Sequence, residues 1–163
     1  MRTAIVYYSM TGSCERVARA VASMMNADII RLLPEKVYPD KGMKKFFWGG
    51  MSAVMGETPK LKPYDFRAYM YDKVILGFPV WASRPAPPIK TFLKAHAGEL
   101  AGKEVGAYTC YLGGGADKAL EALKKMAGRD RLDAQLILLD TEHMTKEVLK
   151  DKVKAFCREL EQS

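Results

Sequence analysis

Five short apolar segments recur along the chain, and each is nearly continuous rather than alternating with polar residues. They are residues 3–8, 28–33, 73–79, 104–110 and 134–140. Short runs that are rich in β-branched residues and bounded by turn residues are typical of strands buried on both faces. The pattern therefore predicts five strands of a parallel sheet.

Between these segments, apolar residues recur at the spacing of an amphipathic helix. The predicted buried positions are Val17, Val21 and Met24; Ile89, Phe92 and Leu93; Leu120, Leu123 and Met126; and Leu149, Val153, Phe156 and Leu160. Right-handed crossovers place such helices on both faces of a parallel sheet, and ligands then bind outside the carboxyl ends of the strands. We expect an α/β three-layer sandwich with its site at that edge.

The connection from residue 34 to residue 72 is longer than is usual between two strands. It carries an apolar face at helical spacing, Phe47, Met51, Val54 and Met55, and the helix-weakening residues Gly49, Gly50 and Gly56. Clusters of methionine and aromatic residues usually belong to the core. We therefore favour core packing over a dimer or partner surface, with a flap over the ligand as the remaining alternative.

The composition is that of one compact domain over residues 1–163. The chain is 48% apolar, and no apolar stretch approaches the roughly 18 residues that span a bilayer. Its start, MRTAIVYY, runs directly into the first strand, which argues against a signal peptide. The three cysteines form no CxxC pair, as expected in a reducing compartment. These features predict a cytoplasmic location without a membrane span, a disulfide framework or a zinc site.

The net charge is +7, from 26 Lys and Arg against 19 Asp and Glu. The basic residues are mixed with acidic ones along the predicted helices rather than gathered into a tract with aromatic residues. This distribution favours a solvated basic surface over nucleic-acid binding. His96 and His143 lie far apart among charged residues, so we expect surface positions rather than metal ligation.

The first strand passes directly into a loop of small residues and then into a helix. The loop consists of Ser9, Met10, Thr11, Gly12, Ser13 and Cys14. Hydroxyls, free backbone N–H groups and the positive end of a helix dipole can hold a phosphate without a cationic side chain. The loop has neither the Gly-Lys-Ser/Thr ending nor the three spaced glycines of the better-known phosphate loops. The alternative is that its hydroxyls only form a turn and cap the helix.

A second loop follows the third predicted strand. It contains Pro79, Val80, Trp81, Ala82 and Ser83, and prolines stiffen the segment after it. An indole on a stiff loop offers a stacking surface for a planar heterocycle. The alternative is that Trp81 packs beneath the long connection.

A third loop follows the fourth predicted strand. That strand ends in Cys110, Tyr111 and Leu112, and Gly113, Gly114 and Gly115 come next. Successive glycines expose peptide groups that can bond to the edge of a flat heterocycle. A merely flexible turn is the alternative.

Together the three loops resemble the flavodoxin superfamily over almost the whole chain. Ser9-x-Thr11-Gly12-x-Cys14 is similar to the family's Thr/Ser-x-Thr-Gly-x-Thr phosphate loop, with Cys14 in the last hydroxyl position. The resemblance implies a five-stranded sheet in the order 2-1-3-4-5 and FMN as the cofactor. It implies that residues 9–14 hold the FMN phosphate and that residues 79–83 and 110–115 border the isoalloxazine ring.

The resemblance also implies a redox protein that carries electrons through bound FMN between partner proteins. The alternative is an NAD(P)H-dependent quinone or flavin reductase, and a homodimer remains an option. A phosphoacceptor signalling domain would need carboxylates at the strand ends, and residues 8–14 contain none.

Several residues near the proposed ring site depart from the pattern of an acidic electron carrier. Arg84 would favour reduced flavin if its charge lay near the ring, with a solvated arginine as the alternative. Electron carriers of this family favour the one-electron semiquinone by flipping a peptide next to the aromatic residue of the stacking loop. Ala82 stands at that position, and its flip into positive φ costs about 1 kcal/mol. We therefore expect a poorly stabilised semiquinone and mainly two-electron chemistry. We expect Cys14 to be a neutral thiol and Cys110 a small buried residue, with a redox thiol as the alternative for Cys110.

Overall fold

The computed structural model describes residues 2–36 and 58–163. Its strands are β1 (Thr3–Tyr7), β2 (Asp28–Arg31), β3 (Lys73–Trp81), β4 (Arg84–Pro85), β5 (Glu104–Tyr111) and β6 (Ala134–Leu139). Its α-helices are α1 (Ser13–Met25), α2 (Pro87–His96), α3 (Ala116–Met126) and α4 (Lys146–Glu161). Short 3₁₀ helices cover Ala68–Met70, Ala97–Leu100 and Thr141–His143.

The five long strands pair in parallel in the order β2-β1-β3-β5-β6. This is the predicted order once the short strand β4 is left out of the numbering, so the predicted architecture is confirmed. The sixth strand, β4, was not predicted. It pairs antiparallel with the end of β3, because Ala82 and Ser83 turn the chain back on itself.

The helices cover both faces of the sheet. Helices α1 and α4 pack on one face and α2 and α3 on the other, each over its own apolar cluster. Within β1, Ala4 and Val6 face the α2 side, whereas Ile5 and Tyr7 face the α1 side. Since successive side chains of a strand point to opposite faces, a strand covered on both sides needs a continuous apolar run.

The two edge strands differ from this expectation. In β2 and β6, the side chains of Ile29, Ile137 and Leu139 are exposed. An edge strand has a neighbouring strand on one side only, and the helices pack mainly on the central strands, so some side chains of the edge strands stay in contact with solvent. The prediction of burial on both faces is therefore wrong for β2 and β6 and correct for β1, β3 and β5.

The predicted helical faces point into these clusters. Val17, Ile89, Leu123 and Phe156 are among the buried residues, and Met24 and Met126 pack at the margins. The predicted apolar face of the long connection, Phe47, Met51, Val54 and Met55, and the glycines Gly49, Gly50 and Gly56 lie outside the described residues.

The two histidines have different environments. His143 is exposed as expected, and its Nδ1 lies 2.7 Å from Asp140 Oδ1. His96 is half-buried instead, because residues of the long connection pack over the end of α2. Its Nε2 lies 2.9 Å from the Tyr64 hydroxyl and its Nδ1 2.7 Å from Glu99 Oε1. Over residues 2–36 and 58–163, no group of side chains is arranged to hold a metal, and no helix is long and apolar enough to cross a bilayer.

A close approach between two central strands fixes the start of α1. The ring of Tyr108 on β5 lies directly over the Cα of Gly77 on β3, where a Cβ would collide with it. The Tyr108 hydroxyl then donates a 2.8 Å hydrogen bond to the carbonyl of Cys14. Burial raises the pKa of Tyr108 well above its usual value, so the hydroxyl stays protonated and able to donate.

We predict that Gly77→Ala lowers the free energy of unfolding by about 1–3 kcal/mol, because the added methyl group must displace the buried Tyr108 ring. Gly98→Ala is the control, since a Cβ at Gly98 meets no atom within 4 Å. Urea unfolding of both variants measures the difference. Equal stabilities of G77A and G98A would show that Tyr108 can move aside without cost.

Candidate functional site

A cavity of about 540 Å³ opens at the carboxyl ends of the central strands. Four loops line it, namely those that follow β1, β3, β5 and β6. Crossover connections in a parallel sheet bring the ends of all strands to one edge, which is why loops distant in the sequence meet here.

The three predicted loops all reach this cavity. The predicted residues that line it are Ser9, Met10, Thr11, Ser13, Cys14, Pro79, Val80, Trp81, Ala82, Ser83, Cys110, Tyr111, Leu112, Gly113 and Gly114. Gly12 and Gly115 do not line it. Each begins a helix instead, in the left-handed region of backbone conformation, with φ 97° at Gly12 and 94° at Gly115.

The loop after β1 forms a closed turn with unpaired donors. The backbone N–H of Gly12 donates to Ser9 Oγ at 3.0 Å, and the hydroxyls of Thr11 and Ser13 lie 3.3 Å apart. The turn-forming alternative is therefore correct for Ser9. No side chain caps α1, and its first bond within the helix runs from the Arg16 N–H to the Gly12 carbonyl.

The start of α1 therefore supplies the cavity with hydrogen-bond donors. The N–H groups of the first turn have no acceptor within the helix, and they carry the positive end of its dipole. No lysine or arginine is among the described residues that line the cavity, and Glu142 is the one formally charged residue among them. An anion at this end would be held by N–H and O–H groups rather than by a cation.

The loop after β3 is a tight two-residue hairpin. Ala82 and Ser83 both have positive φ, 49° and 62°, between the paired residues Trp81 and Arg84. Positive φ at both central positions is typical of a type I′ turn, which matches the twist of the flanking strands. The premise that Ala82 avoids positive φ is wrong, so the expectation of two-electron chemistry loses that support. Arg84 is exposed and does not line the cavity.

Trp81 packs in the core and also lies at the wall of the cavity. Its side chain is 3% exposed and belongs to the core cluster on the α2 side. The ring meets Tyr8 edge to face, with centroids 5.7 Å apart. Trp81 also borders the cavity, so core packing holds, while stacking on a ligand stays a prediction.

The loop after β5 uses its glycines in two ways. Gly113 and Gly114 are exposed, and a Cβ on either would meet nothing within 4 Å. At Gly115, a Cβ would lie only 2.9 Å from the Cα of Ser83. Gly115 therefore lets the loop after β5 touch the hairpin after β3, and a merely flexible turn does not account for it.

The loop after β6 was missed by sequence reasoning, and it contributes Thr141 and Glu142 to the cavity. Arg16 of α1 holds this loop in place, donating at 2.6 Å to the Thr141 carbonyl and at 2.9 Å to that of Met144. Thr141 is only 3% exposed, and its Oγ1 has no partner of normal hydrogen-bond geometry. The sequence could have indicated this loop, because parallel strands end at the same edge of a sheet and β6 therefore ends beside β5.

Cys14 and Cys110 meet at the floor of the cavity. Both are buried in one apolar cluster, and each thiol shifts the pKa of the other. Burial raises the pKa of Cys14 well above its usual value, so this thiol is neutral as expected. The neighbouring Cys14 thiol lowers the pKa of Cys110.

We predict that Gly115→Ala destabilises the protein more than Gly128→Ala. Both glycines have positive φ and no residue but glycine adopts that region freely, so each substitution costs about 1–2 kcal/mol. Only Gly115 touches another loop, so G115A should lose about 1–3 kcal/mol more. Urea unfolding of the two variants isolates the contact with Ser83, and equal losses would show that this contact is dispensable.

Comparisons with known proteins agree with this arrangement. A family model described as Flavodoxin matches residues 2–157. A protein from Bacteroides uniformis ATCC 8492 described as a flavoprotein is similar in structure, with a TM-score of 0.76, 22% identity and coverage of 94% of this chain and 97% of that one. A flavoprotein from Lactobacillus acidophilus NCFM, solved in complex with FMN, has a TM-score of 0.69, 24% identity and coverage of 86% and 95%.

A two-electron reduced flavodoxin from Megasphaera elsdenii has a TM-score of 0.58 at 18% identity, with coverage of 96% of this chain and 98% of that one. No curated protein sequence matches the chain. The family match covers nearly the whole sequence, and the sheet order and the loops at its carboxyl edge accord with it. The chain belongs to the flavodoxin family.

Proposed function

We propose that this protein binds FMN in the cavity at the carboxyl edge of its sheet and carries electrons through it. The observation that supports this most strongly is the donor set of the first loop, which offers hydroxyls and helix N–H groups to an anion. The solved Lactobacillus acidophilus relative, which contains FMN, adds support. Bound FMN supplies reversible uptake and release of electrons.

In this proposal, the phosphate of FMN binds at the start of α1. Thr11 and Ser13 present hydroxyls there, and Ser9 keeps its O–H free to donate while its oxygen accepts from Gly12. Thr141 lines the same cavity, and its buried Oγ1 has no hydrogen-bond partner of normal geometry. A buried polar atom without a partner costs about 1–3 kcal/mol, which a bound acceptor would remove. We assign Thr141 the hydroxyl role that the family pattern gives to the position of Cys14.

The ring of FMN belongs between the loops after β3 and β5. Trp81 and Tyr111 border the cavity with aromatic surface, and Gly113 and Gly114 expose peptide groups without side chains. The contact of Gly115 with Ser83 holds the two loops at a set separation. This pairing would orient a flat heterocycle by shape and by hydrogen bonds from the backbone.

An exposed apolar residue favours electron transfer to a partner protein over direct reaction with NAD(P)H. Leu112 is 74% exposed at the rim, which leaves an apolar side chain beside the proposed ring edge for a partner to cover. The cytoplasmic location is retained as part of the proposal, supported by three free cysteines.

The proposal predicts that the purified full chain binds FMN and that riboflavin, which lacks the phosphate, binds at least about tenfold more weakly. Quenching of flavin fluorescence on titration measures both affinities. Equal affinities for FMN and riboflavin would contradict the phosphate role of the first loop, and no binding of FMN would overturn the proposed function.

The same preparation separates the carrier from the reductase. An electron carrier loaded with FMN should not oxidise NADH or NADPH steadily when a quinone is present, whereas a reductase should. Absorbance at the nicotinamide band follows this directly. Sustained turnover would replace the carrier with the reductase while leaving the FMN site intact.

We predict that Thr141→Val weakens FMN binding about fivefold to tenfold, through loss of one hydrogen bond to the ligand. Stability without FMN should not fall, because the hydroxyl has no partner to lose. Thr141→Ser keeps the hydroxyl and should bind FMN nearly as well as the parent chain. If T141V and T141S bind alike, the Oγ1 of Thr141 does not contact the cofactor.

A further inference from the structure

Two cysteines from distant parts of the chain are neighbours beneath the cavity. Cys14 is the second residue of α1, and Cys110 is the last residue but one of β5. On a strand, Tyr108 and Cys110 point to the same face, and the Tyr108 hydroxyl reaches the carbonyl of Cys14 at 2.8 Å. The two side chains belong to one core cluster, and each thiol shifts the pKa of the other.

The two thiols open onto the same space. Both line the cavity, although Cys14 is only 1% exposed and Cys110 6%. A small neutral molecule in the cavity therefore reaches Cys110 first. Cys157, the third cysteine, is buried on α4 and is not among the residues that line the cavity.

The environment assigns different roles to the two sulfurs. Cys110 is the more exposed of the two thiols, and the neighbouring Cys14 lowers its pKa, which favours the thiolate, the reactive form of a cysteine. The deeper thiol is Cys14, and burial raises its pKa, which leaves it as the second sulfur of the pair. A nucleophile with a neighbouring thiol is the arrangement that converts an oxidised cysteine into a disulfide.

We propose that Cys14 and Cys110 form a redox-active dithiol, which a small hydroperoxide entering the cavity oxidises to an intramolecular disulfide. Cys110 attacks one peroxide oxygen, the O–O bond breaks, and the products are Cys110 sulfenic acid and water when hydrogen peroxide is the oxidant. The Cys14 sulfur then attacks the Cys110 sulfur, and the hydroxyl leaves as a second water. The two thiols give up two electrons and two protons in total, and the peroxide takes up both.

This inference does not depend on the proposed binding of FMN. Its test uses the full chain without added flavin, so failure to bind FMN and failure to form the disulfide are separate outcomes. A ligand in the cavity would cover both thiols, so small molecules are first removed by dialysis.

The test treats the full chain with one equivalent of hydrogen peroxide. Titration of thiols after denaturation should show a loss of two of the three cysteines. The intact mass should fall by about 2 Da, because two hydrogen atoms leave as the disulfide forms. Peptide mapping without reduction should then recover the segment containing Cys14 linked to the segment containing Cys110. A linkage that involves Cys157, or oxidation without any linkage, would overturn the proposal.

Variants assign the roles of the two sulfurs. Cys157→Ser should form the same disulfide as the parent chain and serves as the matched control. Cys14→Ser should stop at a sulfenic acid on Cys110, which dimedone labels, and Cys110→Ser should lose the disulfide altogether. If hydrogen peroxide oxidises Cys14 in C110S, detected by dimedone labelling, as fast as it oxidises the parent chain, Cys110 is not the attacking thiol. Should either variant fail to fold, the linkage found in the parent chain decides the proposal by itself.

Discussion

The buried phenol of Tyr108 holds the start of α1 against the centre of the sheet. Its ring lies across Gly77 of the neighbouring strand, and its hydroxyl bonds to the carbonyl of Cys14. Through this bond the first turn of α1 is fixed relative to β3 and β5. The donors at the helix start therefore point into the cavity between the loops. A larger residue at position 77 would leave no room for the ring, so one glycine supports the position of the whole loop.

The loops at the carboxyl edge are joined to each other as well as to the sheet. Gly115 lets the loop after β5 touch Ser83 of the hairpin after β3, and Arg16 of α1 bonds the loop after β6 through two carbonyls. These contacts preorganise the cavity for an anion, although no positively charged side chain is among its described lining residues. A site built from dipoles and hydroxyls binds an anion at its helix end and leaves the remaining wall apolar for a flat ring.

The net positive charge of the chain does not extend to the residues that line the cavity. The net charge is +7, yet no described lining residue is basic. Arg84, which could have brought a positive charge to the ring or remained solvated, lies exposed on β4. Glu142 brings a carboxylate to the cavity. The local field therefore cannot be deduced from the overall charge, because a strand of alternating faces can turn a charged residue away from an adjacent site.

The sequence by itself determined the elements and the edge at which they meet. Continuous apolar runs identified five strands, helical spacing identified the covering faces, and the carboxyl-edge rule placed three loops together. These signals are local, because strand and helix periodicity depend on neighbours a few residues apart. Cys14 and Ser9 could be assigned to the first loop on that basis alone.

Only the tertiary structure decided which side chains of the edge strands lie exposed, and that Ala82 and Ser83 form a turn with positive φ. Only it joined Cys14 to Cys110 and brought Thr141 into the cavity with an unpaired hydroxyl. Each of these facts is a contact or a conformation imposed by residues far away in the sequence. Local pattern carries no information on such pairings, because the same residues would form the same helix or strand with other neighbours.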